Sequence, residues 1–127
     1  AHAEQVRDFV VALFRDVGPY GTHGGALSAV DLLKQFRVRV EHGLDDRPAL
    51  RVPLLNLVGS SLLNLQDTPA AEDVLSRAID TGSRQLGTDH PETLRARVLM
   101  LSVHRFRGRM DVMRTELDDL LPRLRAH

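Results

Sequence analysis

The sequence predicts an all-α chain, a right-handed stack of about three antiparallel helix pairs, on three observations. Apolar residues recur at helical spacing in six separate stretches. Turn residues divide several of these stretches: Gly43 with Asp45-Asp46, Gly87 with Asp89, and Gly108. No stretch is read as a half-buried strand, so a sheet is not expected. Residues 1–127 read as one helical-repeat domain. Because the sequence starts at Ala1 and not at Met, it is expected to be part of a longer protein.

The first helix is expected at about 3–16, with Val6, Phe9, Val10, Leu13, Phe14 and Val17 on one stripe. A long loop follows from Gly18 to Leu27. The second helix is expected at about 29–42, after a capping box of Ser28 and Asp31, with Ala29, Leu32, Leu33, Phe36 and Val40 as its stripe. The third is expected at about 48–65, capped by Asp46, with Leu55, Val58, Leu62 and Leu65 inward. Pro53 interrupts it, because a proline inside a helix removes one backbone hydrogen bond and costs roughly 3 kcal/mol. The favoured reading is a helix from about 48 with its first two turns weakened. The fourth is expected at about 69–86, capped by Thr68 with Pro69 in the first turn. Its inward face is Ala71, Val74, Leu75, Ala78 and Ile79. The fifth is expected at about 90–107, with Asp89 as cap and Glu92 completing a capping box. The sixth, about 109–125, points Met113, Leu117, Leu120, Leu121 and Leu124 inward.

Composition narrows the function. Lys plus Arg is 17 and Asp plus Glu is 17, so the basic excess of a dedicated nucleic-acid binder is missing. There is no cysteine, which removes disulfides, thiolate metal sites and a cysteine nucleophile. No apolar run reaches the ~18–20 residues of a membrane span, so direct membrane insertion is not expected. The compartment stays open: cytoplasmic, or extracytoplasmic if the parent protein spans a membrane.

A repeat organises the second half. In a 34-residue frame over 52–85, Leu55, Val58, Gly59 and Leu62 are followed by Ala71, Leu75 and Ala78. Gly and Ala let two helices cross closely, while the large residues fill the neighbouring layer. A shift of 42 residues carries Leu62 to His104, Gln66 to Gly108, Ala71 to Met113, Leu75 to Leu117 and Ala78 to Leu120. With the phrase Leu86-Gly87-Thr88-Asp89-His90-Pro91-Glu92-Thr93-Leu94, this spacing resembles the kinesin-light-chain type of tetratricopeptide repeat. The first half has Val6-Arg7-Asp8-Phe9, Leu13-Phe14, Ser28-Ala29, Leu32-Leu33 and Asp46-Arg47-Pro48. It resembles the region that begins the repeats behind the catalytic domain of bacterial serine/threonine protein kinases. Family members usually have an aromatic at the position of Leu62 and Ala at that of Pro53. The resemblance implies an α-solenoid acting as a sensory or docking arm. The kinase motifs themselves are not in this sequence, so any kinase activity would belong to sequence outside it.

Enzyme chemistry finds little support in the residues. The Gly18–Gly25 loop lacks the Gly-Lys-Ser/Thr ending of a phosphate loop and reads as a helix connector. The histidines at 2, 23, 42, 90, 104 and 127 form no i, i+4 pair, so neither metal nor other cofactor is expected. His90 reads as a first-turn residue and His104 as a core or groove filler. No serine sits in a Gly-x-Ser-x-Gly elbow, and Gly59-Ser60-Ser61 lies mid-helix. The acid pairs Asp45-Asp46, Glu72-Asp73 and Asp118-Asp119 read as caps and solvated faces.

The expected site is a groove for a protein or peptide ligand. Asn56, Ser60 and Leu63 share one face of the third helix, and Arg95, Val98, Ser102 and Arg105 share one face of the fifth. In tetratricopeptide arrays such positions line the concave groove, so the resemblance implies that Asn56, Ser60, Arg95, Ser102 and Arg105 contact the ligand. Residues 93–109 hold Arg95, Arg97, Arg105, Arg107 and Arg109 with no acid, which favours an acidic ligand, because guanidinium pairs with carboxylate through two parallel bonds. The alternative is a structural self-association module, a homodimer formed through apolar faces on the terminal helices.

Overall fold

A computed structural model describes residues 29–44 and 46–126. Among these residues the chain forms five packed α-helices and no strand. They are α1 (Ala29–Gly43), α2 (Pro48–Asn64), α3 (Thr68–Thr81), α4 (Pro91–Phe106) and α5 (Met110–Arg125), and α3 runs on into a π-helical turn at Gly82–Leu86. They correspond to the second to sixth expected helices. Every end falls within one residue of the expected position once the π turn is counted with α3. The expected helix at 3–16, the glycine loop and Ser28 lie outside the described residues.

α2 is the centre of the fold. Leu50, Val52, Leu54, Leu55, Asn56, Val58, Gly59 and Leu62 are buried around most of its circumference, and a helix apolar on nearly all sides has to lie inside. It packs on α1, α3 and α4, while α3 packs on α4 and α4 on α5. Ion pairs fix one relative direction. Arg37 pairs with Asp73, and Arg77 pairs with Glu41 at 3.5 Å, so α1 and α3 run the same way. Between α2 and α3 the chains approach closely at Gly59. A Cβ there would lie 2.5 Å from Leu75 Cδ2, so any larger residue would require Leu75 to shift. Ala71 and Ala78 are fully buried in the same layer.

Pro53 sits inside a continuous helix, five residues after α2 begins at Pro48. The helix therefore runs through it and loses one hydrogen bond, with Arg47 at the N-cap making no side-chain bond to offset the loss. The expected caps are each displaced. Asp46 does not cap α2. Asp67, and not Thr68, caps α3, accepting from the Ala70 amide at 3.3 Å. His90, and not Asp89, caps α4, with Nδ1 accepting from the Glu92 amide at 3.1 Å. In each case the observed N-cap lies one residue from the expected one, and only the residue at that backbone position can reach the free amides.

The ends of α2 and α4 repeat one backbone motif. The Asp67 amide donates to Leu62 O at 2.9 Å across Gln66, which has φ 64°. The Arg109 amide donates to His104 O at 2.8 Å across Gly108, which has φ 71°. Both are Schellman turns with the left-handed residue in the same place, 42 residues apart. Three residues expected inward are exposed: Leu65, Leu121 and Leu124. Leu65 lies past the last helical turn of α2. Leu121 and Leu124 lie on a side of α5 that no described helix covers.

Candidate functional site

The open face of α4 holds Arg95, Val98, Ser102, Arg105 and Phe106. Arg95, Val98, Arg105 and Phe106 are exposed and Ser102 is half-buried. Its opposite side, with Thr93, Leu94, Ala96, Met100 and Val103, is buried. Ten residues are about 2.8 turns, which leaves Arg95 and Arg105 roughly 80° apart on the helix, a broad strip and not a line.

The five arginines of this region fall into two groups. Arg97 donates to Glu116 at 3.0 Å and Asp119 at 2.7 Å, tying α4 to α5. Arg107 and Arg109 both hold Glu72 at 2.8 Å, tying the α4–α5 turn back to α3. Arg95 and Arg105 make no ion pair among the described residues, and Arg105 lies over the Phe106 ring at 5.2 Å. The carboxylates register this pairing. The hydrogen bond from Arg109 holds Glu72 below its ordinary range against the opposing effect of burial, with the charges of Arg109, Arg107 and His104 adding. Asp119 is lowered by hydrogen bonds first from Arg97 and then from Arg123.

Asn56 does not lie on the open strip, which corrects its expected place beside the arginines. It is 1% exposed, and its amide nitrogen donates to the Glu92 carbonyl at 3.0 Å and the Glu92 carboxylate at 3.2 Å. It joins α2 to the first turn of α4, because a buried amide is costly unless it is bonded. Ser60 lies half-buried one turn further along α2, and Arg95, Ser102 and Arg105 follow Glu92 by three, ten and thirteen residues along α4.

Sequence reasoning missed two exposed apolar residues, Leu57 on α2 and Phe106 on α4. Leu57 is 52% and Phe106 59% exposed. Helical phase could have found both, since Leu57 lies three residues before Ser60 and Phe106 lies eleven after Arg95, close to three turns.

A concavity of about 310 Å³ lies away from that strip, between α3, α4 and α5. Glu72, Ile79, Met100, His104, Arg97 and Glu116 contribute to its walls. Its acidic groups are engaged by the arginines described above, and His104 Nδ1 is buried there with no partner. Among the described residues no cluster of His, Asp and Glu could hold a metal ion, and no helix is long and apolar enough to cross a membrane. Comparison with protein-family models, with curated proteins and with solved structures found no match.

Proposed function

We propose that this chain is a right-handed, tetratricopeptide-like α-solenoid module that binds extended acidic segments of a partner protein along the open face of α2 and α4. It has no catalytic role of its own. The observation that carries the reading is the sorting of the arginines. Arg97, Arg107 and Arg109 are consumed by structural pairs, while Arg95 and Arg105 make no ion pair among the described residues, on an exposed face of α4 that also offers Val98 and Phe106. The solenoid itself is supported by the recurrence at 42 residues of the same turn, and by the packing of α2 on α4 as well as on α3. The resemblance of residues 86–94 to kinesin-light-chain-type repeats favours a docking arm of a bacterial serine/threonine kinase or a related regulator.

Exposed ion pairs contribute about 0.2–1 kcal/mol, rising to about 1.5–3 kcal/mol for charge-assisted bonds that exclude water. Losing both arginines should therefore weaken an acidic peptide by about tenfold or more. The test is fluorescence anisotropy with an acidic peptide pool on the parent chain and on Arg95→Ala with Arg105→Ala. Both positions are exposed, so the fold should be retained by circular dichroism. Equal binding by the parent and the double variant would refute the reading.

A further inference from the structure

We propose that α5 is a self-association surface, on which two copies of this chain pair antiparallel across a twofold axis. The charges of α5 divide as those of α4 do. Glu116, Asp119 and Arg123 are engaged within the molecule, with Arg97 and Asp89. Asp111, Arg114, Asp118 and Arg125 are exposed and make no ion pair among the described residues. At 3.6 residues per turn these four fall within an arc of roughly 60°. That arc borders an apolar stripe of Met110, Leu121 and Leu124, which are 53%, 42% and 39% exposed, continued by half-buried Met113 and Leu117. One side of the stripe meets α4 through buried Leu120, and the other side ends at the free charges.

The order of signs along that border identifies the occupant. Reading along the helix it is negative, positive, negative, positive. In an antiparallel pair related by a twofold axis, each flank faces its own copy, reversed in direction. Centring the axis on Leu117 sets Met110 against Leu124, Met113 against Leu121 and Leu117 against itself. The same register brings Asp111 within two residues of Arg125 of the second copy, and Arg114 within two residues of Asp118 of the second copy. Every free charge on this border then finds an opposite one. The surface is complementary to itself, which an unrelated partner would not require. α5 has 16 residues, about 24 Å of helix. A contact of that length lies at the small end of specific interfaces, below about 1,200 Å², so the dimer is concentration-dependent. The inference is independent of the peptide reading, which concerns α2 and α4.

Sedimentation equilibrium on the full chain, over a range of concentrations, tests it. The parent should show a monomer–dimer equilibrium. Arg114→Glu alone and Asp118→Arg alone each place like charges opposite one another, and each should weaken dimerisation about tenfold. Combining both in one chain should restore it. Mixing the two single variants should also restore it, as a heterodimer, because both contacts between positions 114 and 118 across the axis then join opposite charges. Recovery by mixing cannot come from contacts within one chain. Leu121→Asp, at an exposed position, should abolish the dimer while leaving the circular dichroism of the monomer unchanged. A parent that stays monomeric up to about 1 mM, single variants that dimerise like the parent, or a mixture that fails to recover would each overturn the proposal.

Discussion

Replacing Gly59 with Ala sets two opposing effects against each other at a single atom. In the middle of a helix Ala is favoured over Gly by about 0.8–1.0 kcal/mol, so on propensity alone the substitution should stabilise α2. The new methyl, however, would lie 2.5 Å from Leu75 Cδ2 and 2.7 Å from its Cγ. Leu75 is fully buried, as are Ala71, Val74 and Ala78 on the same helix, so any shift must be taken up inside the core. Forcing a methyl into such a core costs typically about 1–3 kcal/mol. The net expectation is a loss of up to about 2 kcal/mol, read by urea denaturation followed by far-ultraviolet circular dichroism. The mechanism can be isolated with Leu75→Ala, which alone should cost about 2–5 kcal/mol. In that background the collision is gone, and Gly59→Ala should become stabilising by about 1 kcal/mol. The coupling between the sites would then be about 1–3 kcal/mol, in the range of residues in direct contact. A Gly59→Ala variant more stable than the parent, or one that costs the same with and without Leu75, would refute the close crossing of α2 and α3.

Two further predictions follow from the same geometry. Gln66 adopts a left-handed conformation that costs an ordinary residue about 1–2 kcal/mol, and Gly108 occupies the equivalent position without that cost. Gln66→Gly should therefore raise the thermal midpoint and Gly108→Gln should lower it, while two changes of the same sign would break the equivalence of the turns. The pairing of Glu72 sets a pH dependence. Its carboxyl is depressed below the ordinary value of 4.5, chiefly by the Arg109 hydrogen bond, so its contribution is present above that value and is lost as pH falls through the folded value. Glu72→Gln should be less stable than the parent at neutral pH, and the gap should close as a thermal melt series descends below the ordinary value of 4.5 and through the folded value; a constant gap would mean that the ion pairs contribute nothing.

How much could be read in the sequence depended on whether a property was set locally. Helix ends were legible because Gly43, Gly87 and Gly108 and the prolines at 48, 69 and 91 punctuate apolar runs of helical period. Gly59 was legible as a packing residue because a mid-helix glycine among Leu and Val has few other uses. The caps were missed by a single step. Asp67 and Thr68 can both cap, as can Asp89 and His90, and only the backbone dihedrals decide which does. The π turn at Gly82 also left no signal in periodicity. It coincides with a close approach to α4, where a Cβ on Gly82 would meet Thr93 Oγ1 at 2.5 Å.

The candidate site was legible as a composition and not as an arrangement. Five arginines without an acid between 93 and 109 look alike in the sequence, yet the partners of Arg97, Arg107 and Arg109 lie 19 to 37 positions away, at Glu116, Asp119 and Glu72. Which arginine is consumed depends on which way it faces. Arg97 points between α4 and α5, while Arg107 and Arg109 reach back to α3 from the turn. Arg95 and Arg105 are left over because the α4 face they occupy carries no carboxylate and is exposed. Asn56 was misread for the converse reason. Its helical phase is close to that of Ser60, but a difference of about 40° is enough to carry it from the open strip into the seam with α4. There a carbonyl and a carboxylate of Glu92 await it. The same sorting into engaged and free charges recurs on α5, where Glu116, Asp119 and Arg123 are engaged and Asp111, Arg114, Asp118 and Arg125 are not. Both surfaces assigned to binding thus carry charges that make no ion pair among the described residues. The two predicted sets of variants, at Arg95 with Arg105 and at Arg114 with Asp118, separate them by assay, because the first should change peptide binding without changing mass and the second should change mass without changing peptide binding.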